Sequence, residues 1–239
     1  MSAKNLMVDA VDPQWKWIYR LGAISAFALV IGYLIITALF IPVYPFPDEG
    51  QAMLEYLNGK TSVWWAIIGV SALTDFLYAL IAFSLYQALK GINRDAMLVA
   101  AGLKMLFAVL ELAITWPTYV GLITLSGGYA AATADAQRAA YVATANYATG
   151  VLNSTLLAVY AILIPALGTL LIGLVMRKGI FSKSTAYLGV VTGVLGIVSV
   201  VGPLFVSTLD PTIIVASLLT TVWFLLVGFR LYRLGQQMN

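Results

Sequence analysis

Neither cysteine nor histidine occurs among the 239 residues. The chain therefore has no thiolate and no imidazole with which to hold zinc, copper, an iron–sulfur cluster or ordinary haem. Disulfides, cysteine nucleophiles and histidine acid–base chemistry are excluded on the same ground. Charge is scarce as well: 10% of residues are charged, against roughly 25% in soluble domains. No nucleophile-plus-base spacing, GxSxG turn or phosphate-binding glycine loop is present. No catalytic residue is assigned, and no cofactor or metal is expected. The formal charge of +3 is small and no basic face exists outside short loops, so nucleic acid is not a partner.

What is abundant is hydrocarbon, at 62% hydrophobic residues. Apolar runs of about 20 residues recur, the length that crosses a hydrocarbon core of about 30 Å. Six spans are expected, at about 21–41, 63–89, 96–117 or beyond, 148–176, 185–206 and 212–231. The fold class is all-α: a polytopic integral membrane protein, one six-helix bundle forming a single domain over 1–239. Pro42, Pro45 and Pro47 close the first span, because proline cannot continue a helix. Lys90 to Arg94 and Arg177 to Gly179 form tight polar turns.

Threading the chain this way sorts its bases. Lys4, Lys16, Arg20, Lys90, Arg94, Arg177, Lys178, Lys183, Arg230 and Arg233 fall on one side, and only Lys60 and Arg138 on the other. The positive-inside rule then places both termini in the cytoplasm and the protein, multi-pass, in the cell (inner) membrane. The first apolar run is long, lacks a small-residue cleavage site and follows Asp9 and Asp12, so it reads as a retained helix rather than a secretory signal. Trp15, Trp17 and Tyr19, and across the membrane Trp64 and Trp65, suit interfacial aromatic belts.

Two outer segments exceed simple turns. Asp48 to Asn58 sets Met53 and Leu57 at helical spacing opposite Glu49 and Glu55. It reads equally as a helix lying flat on the outer leaflet and as a connecting helix capped by Asp48. The alanine-rich stretch from Tyr129 is expected to form a helical arm running into the fourth span, after a break at Gly127-Gly128.

Three ionisable residues fall inside spans: Asp75, Lys104 and Glu111. Each costs about 2.5–3.5 kcal/mol if left unpaired at mid-membrane, so partners or water are expected. Lys104 and Glu111 are about 10 Å apart along one helix, while Asp75 and Glu111 both lie about 21–24 Å from the turn at 90–95. Ser71 and Tyr78 extend the polar face of Asp75, and Asn146, Asn153 and Tyr160 recur every seven residues in the fourth span. These eight residues make up the candidate intramembrane polar pocket, a protonatable site. The competing reading has Lys104 snorkelling to headgroups, Glu111 reaching the outer interface where Pro117 ends its span, and the asparagines binding neighbouring helices. Pro117, Pro165 and Pro203 read as kinks or hinges, and Gly189, Gly193 and Gly196 as a close-packing face within the chain or between subunits.

A family likeness rests on the acid before ALIAFSLYQALK (Ala79–Lys90), the base inside the third span, and LGTLLIGLVMRKGIFSKSTAYLGVVTGVLG (Leu167–Gly196). In these stretches the chain resembles the uncharacterised prokaryotic six-helix proteins grouped as domain of unknown function 4386. The resemblance implies a membrane fold, with Asp75 and Lys104 matching the family's buried acid and base, and carries no activity. In the third span the acid is Glu111, with Phe107 and Ala108 in the places one turn after the base. The leading functional expectation is binding or conduction of a small solute or ion through the polar interior. The alternative is a non-catalytic accessory or scaffold subunit, and an intramembrane enzyme ranks third. Expected partners are membrane lipids and either a membrane-protein partner or further copies of the chain.

Overall fold

The computed structural model describes residues 13–209 and 212–237. Lys4, Asp9 and Asp12, used above to orient the chain, lie outside the described residues. Six helices are long and apolar enough to cross a membrane: Lys16–Phe40, Thr61–Leu89, Arg94–Ala131, Asp135–Met176, Lys183–Leu204 and Thr212–Gln236. They match the six expected spans in number and order. The third and fourth run far longer than a bilayer requires.

The helices are α1 (Lys16–Phe40), α2 (Gly50–Asn58), α3 (Thr61–Leu89), α4 (Arg94–Leu110), α5 (Trp116–Ala131), α6 (Asp135–Leu152), α7 (Thr155–Ala158), α8 (Ile164–Met176), α9 (Lys183–Val201) and α10 (Thr212–Gln237). A π-helical turn, Glu111–Thr115, joins α4 to α5 without a break, and a second, Val159–Leu163, joins α7 to α8. Each span packs on the next in the chain, and α10 closes the ring against α1. The bases at 90–94, 177–183 and 230–233 thus gather at one end of the ring, the basic end.

Apolar side chains bury themselves in two separate cores. The larger fills the ring, with Tyr19, Leu29, Ile81, Met97, Ile172, Trp223 and Phe224 among its members. The smaller lies at the opposite end, where α2 packs against α5 and α6 through Met53, Leu54, Leu57, Leu122, Ile123 and Ala145. Of the two readings of the Asp48–Asn58 segment, the connecting helix holds, with its cap corrected. The apolar face of α2 is buried on protein rather than laid on lipid. Its N-cap is Glu49, not Asp48. The backbone N–H of Gly50 donates to Asn146 Oδ1 at 2.8 Å, Ser126 Oγ donates to the Leu54 carbonyl at 2.6 Å, and Tyr56 OH donates to the Val43 carbonyl.

The expected break at Gly127-Gly128 does not occur: α5 runs through both glycines to Ala131. Gly128 serves close packing instead, since a Cβ there would stand 2.7 Å from the Tyr141 ring of α6. The fourth span is interrupted at Asn153-Ser154, where Ser154 restarts the helix by accepting from the Leu157 N–H at 3.3 Å. Aromatic belts are also thinner than expected. Trp17 and Trp65 are exposed, but Tyr19 and Trp64 are buried in the two cores. Neighbours on a helix point about 100° apart, so adjacent aromatics do not share a face.

Candidate functional site

Between the two cores runs a polar seam. On α3 the smaller core ends at Ile68 and the larger begins at Tyr78, with buried Ser71, Thr74 and Asp75 between them. On the third span the interval holds Glu111 and Thr115, and on the fourth it holds Tyr160. Asp75 and Glu111 are each 6% exposed and close enough to interact through space. Asp75 Oδ2 accepts from Trp116 Nε1 at 2.7 Å. Thr115 Oγ1 and Tyr160 OH are 3.0 Å apart, so a hydrogen bond ties one π turn to the other.

Each π turn ends two residues before a proline, Pro117 or Pro165. A proline inside a helix clashes with the carbonyl four residues back and donates no hydrogen bond. Widening the preceding turn by one residue accommodates that defect, and such turns frequent functional sites. Pro117 therefore does not end the third span, and Glu111 does not escape to an interface. The Trp116–Asp75 bond anchors the first turn across the seam. Trp116→Phe is expected to destabilise the protein by about 1–3 kcal/mol, the usual cost of stripping a buried polar group of its partner. Thermal unfolding of Trp116→Phe, Asp75→Leu and the double variant checks this, because a true bond makes the two losses less than additive.

Lys104 is held apart from the acids. At 2% exposure it is fully buried, so it does not snorkel. Its Nζ donates to Tyr78 OH on α3 and to Thr169 Oγ1 on α8. The same ammonium lies 4.6 Å from the Tyr78 ring centroid, 5.8 Å from that of Trp223 and 5.9 Å from that of Phe224. No ion pair with a carboxylate forms among the described residues. Charged hydrogen bonds contribute about 1.5–3 kcal/mol each, which is enough to offset an insertion cost of about 2.5–3.5 kcal/mol. The expected three-charge cluster is thus an acid pair and a separate cation.

The eight predicted pocket residues divide accordingly. Ser71, Asp75, Glu111 and Tyr160 share the seam, and Tyr78 and Lys104 form the adjoining centre. Asn146 is exposed on α6 and fastens α2, while Asn153 is exposed at the break in the fourth span. Their seven-residue spacing fails as a guide because that span is interrupted at Asn153-Ser154.

A cavity of ≈ 530 Å³ adjoins the cation centre. Tyr33, Tyr78, Thr169 and Thr192 bring hydroxyls to it, as do Thr37 on α1 and Ser217, Thr220 and Thr221 on α10, between apolar walls that include Phe107 and Pro165. Thr192 is 3% exposed, and its Oγ1 has no hydrogen-bond partner within the protein. Tyr78 lines the cavity one turn along α3 from Asp75, so the cavity adjoins the seam. Leu34, Ile214 and Leu218 line the cavity and are 61%, 63% and 64% exposed, which places its mouth on the lateral, lipid-facing side between α1 and α10. Tyr33, Trp116, Thr169 and Thr192 were not foreseen from the sequence. One signal did exist: Ala-Ile-x-x-Pro occurs at Ala113–Pro117 and again at Ala161–Pro165, marking both π turns.

No curated protein and no solved structure matches the chain. A family model described as a domain of unknown function, DUF4386, matches residues 21–235, which reaches into all six spans and takes in the seam, the cation centre and the cavity. With four-fifths and more of its length matched in this way, the chain belongs to that family of domain of unknown function 4386.

Proposed function

We propose that the protein binds a small solute inside the membrane, in the cavity beside Lys104. The observation that carries this reading is a buried lysine without a carboxylate partner, bonded to two hydroxyls that line a laterally open cavity. Its volume falls within the range of about 300–1,000 Å³ typical of small-molecule sites. Mostly apolar walls and a lipid-facing mouth favour a solute that partitions into the bilayer. The hydroxyls of Tyr78 and the unpartnered Thr192 favour one that carries a hydrogen-bond acceptor. Conduction extends the same reading, since Tyr78 of the cavity wall is one turn from Asp75 on α3 and two buried carboxyls offer a proton a place to bind. The basic end faces the cytoplasm of the cell (inner) membrane in this proposal, following the distribution of Lys and Arg.

Organic extraction of the purified protein followed by mass spectrometry tests binding. Wild type is expected to carry a lipophilic compound that Ser217→Phe, which crowds the mouth from an exposed position on α10, retains at least about tenfold less. Equal retention by both would remove the cavity from consideration. In proteoliposomes, Asp75→Asn is expected to abolish any proton flux the wild type supports, and undiminished flux would restrict the reading to binding.

A further inference from the structure

A second cleft, of ≈ 620 Å³, opens at the basic end and shares no lining residue with the cavity beside Lys104. Arg177, Lys178 and Lys183 line it, and no carboxylate does. Two helix N-termini converge there, because Asn93 caps α4, Lys183 begins α9, and both residues line the cleft. A cation in the first turn of a helix works against the helix dipole, and α9 has no acid in that turn to relieve it. Asp95 supplies that acid in the first turn of α4 but does not line the cleft, so the cations of the cleft itself remain attractive to an anion.

Its other walls are apolar. Ile92, Leu171 and Leu174 form them, and Tyr187 lies at the rim with the Arg177 guanidinium 5.4 Å above its ring. The apolar surface continues along both bounding helices. On α8, Leu167, Leu171 and Leu174 follow helical spacing, and on α9 so do Tyr187, Val191 and Val194. Leu167, Leu174, Tyr187, Val191 and Val194 are exposed. A cationic cleft thus opens onto a two-helix groove that runs into hydrocarbon.

We propose that this cleft is a binding site for an anionic phospholipid, its phosphate among Arg177, Lys178 and Lys183 and one acyl chain along the α8–α9 groove. A soluble phosphate would satisfy the cations but leave the apolar groove unused, so the lipid is the occupant that matches both halves. Basic pockets between membrane helices recognise headgroups by the same pairing of charge with depth. The site is independent of the solute reading above and survives its failure.

The test uses the full-length protein in mild detergent, titrated with phosphatidylglycerol and observed by native mass spectrometry. One tightly held lipid is expected on the wild type. Arg177→Gln with Lys183→Gln is expected to weaken it about thirtyfold, the effect of two near-surface cations. Lys90→Gln with Arg233→Gln removes the same charge from the same end outside the cleft and is expected to leave binding within about threefold. Equal losses in the two double variants would show a diffuse charge effect and overturn the proposal, as would equally tight binding of phosphatidylcholine. Displacement of the lipid by millimolar inorganic phosphate would overturn the lipid assignment in favour of a soluble anion. Val194→Asn, which changes the groove outside the cleft lining and adds no charge, should weaken phosphatidylglycerol; unchanged binding would remove the acyl chain from the site.

Discussion

Lys104→Met is expected to reduce retention of the bound solute at least about tenfold while shifting stability by no more than about 1 kcal/mol. The two effects separate because they have different origins. Methionine is unbranched and adaptable, so it fills the volume of the lysine stem without strain. It relieves an insertion cost of about 2.5–3.5 kcal/mol and forfeits hydrogen bonds of similar total size. Thr169 keeps a partner in the Pro165 carbonyl, to which its Oγ1 donates at 2.9 Å. Tyr78, however, loses the ammonium that polarises its hydroxyl, and with it the preference for an acceptor in the cavity. Extraction with mass spectrometry reads retention, and thermal unfolding in detergent reads stability. A loss of 3 kcal/mol or more accompanied by full retention in the folded fraction would make Lys104 a structural peg and leave the cavity without its cation.

The second large effect falls on the contact between α8 and α9. A Cβ on Gly193 would stand 2.6 Å from the Leu170 backbone nitrogen and 2.7 Å from its Cα. On Gly173 it would meet the Val190 nitrogen at 2.6 Å, and on Gly196 the Ala166 Cβ at 2.7 Å. Backbone cannot rotate away as a side chain can, so the helices must part to admit any larger residue. Gly193→Val is expected to cost about 3 kcal/mol, the upper end of the usual overpacking penalty. Gly102→Ala supplies the contrast: nothing lies within 4 Å of its Cβ position, and alanine is favoured in a helix by about 0.5–1 kcal/mol. Detergent-driven unfolding of the two variants should move in opposite directions, and a Gly193→Val protein as stable as the wild type would rule out this close approach. These glycines thus pack spans within one chain, the first of the two roles their spacing suggested.

Hydrophobic length and the distribution of bases made the membrane architecture legible, because both are summed over many residues and tolerate local error. The site was legible only in part. Asp75 and Glu111 were matched by equal depth on two hairpin-related helices, a one-dimensional argument, and the structure buries both in the seam. Depth alone could not say which way Lys104 points, and its partner Thr169 comes from α8, a span further along the ring. Asn146 and Asn153 misled because regular spacing implies a common face only while the helix is unbroken. The smaller core was hidden for a related reason. Its residues come from Val43, α2, the start of α3, α5 and α6, and α2 is recognisable as a core helix only once α5 and α6 extend to meet it.

The paired π turns have a mechanical consequence. Each takes in one residue more than an α-helix would, which rotates whatever follows by about 100°. The third span runs unbroken from Arg94 to Ala131 through such a turn, so it acts as a crankshaft: α5 is its outer throw, and the journal is the turn that carries Glu111. Thr115 and Tyr160, 3.0 Å apart, pin this shaft to its neighbour four residues beyond that carboxyl.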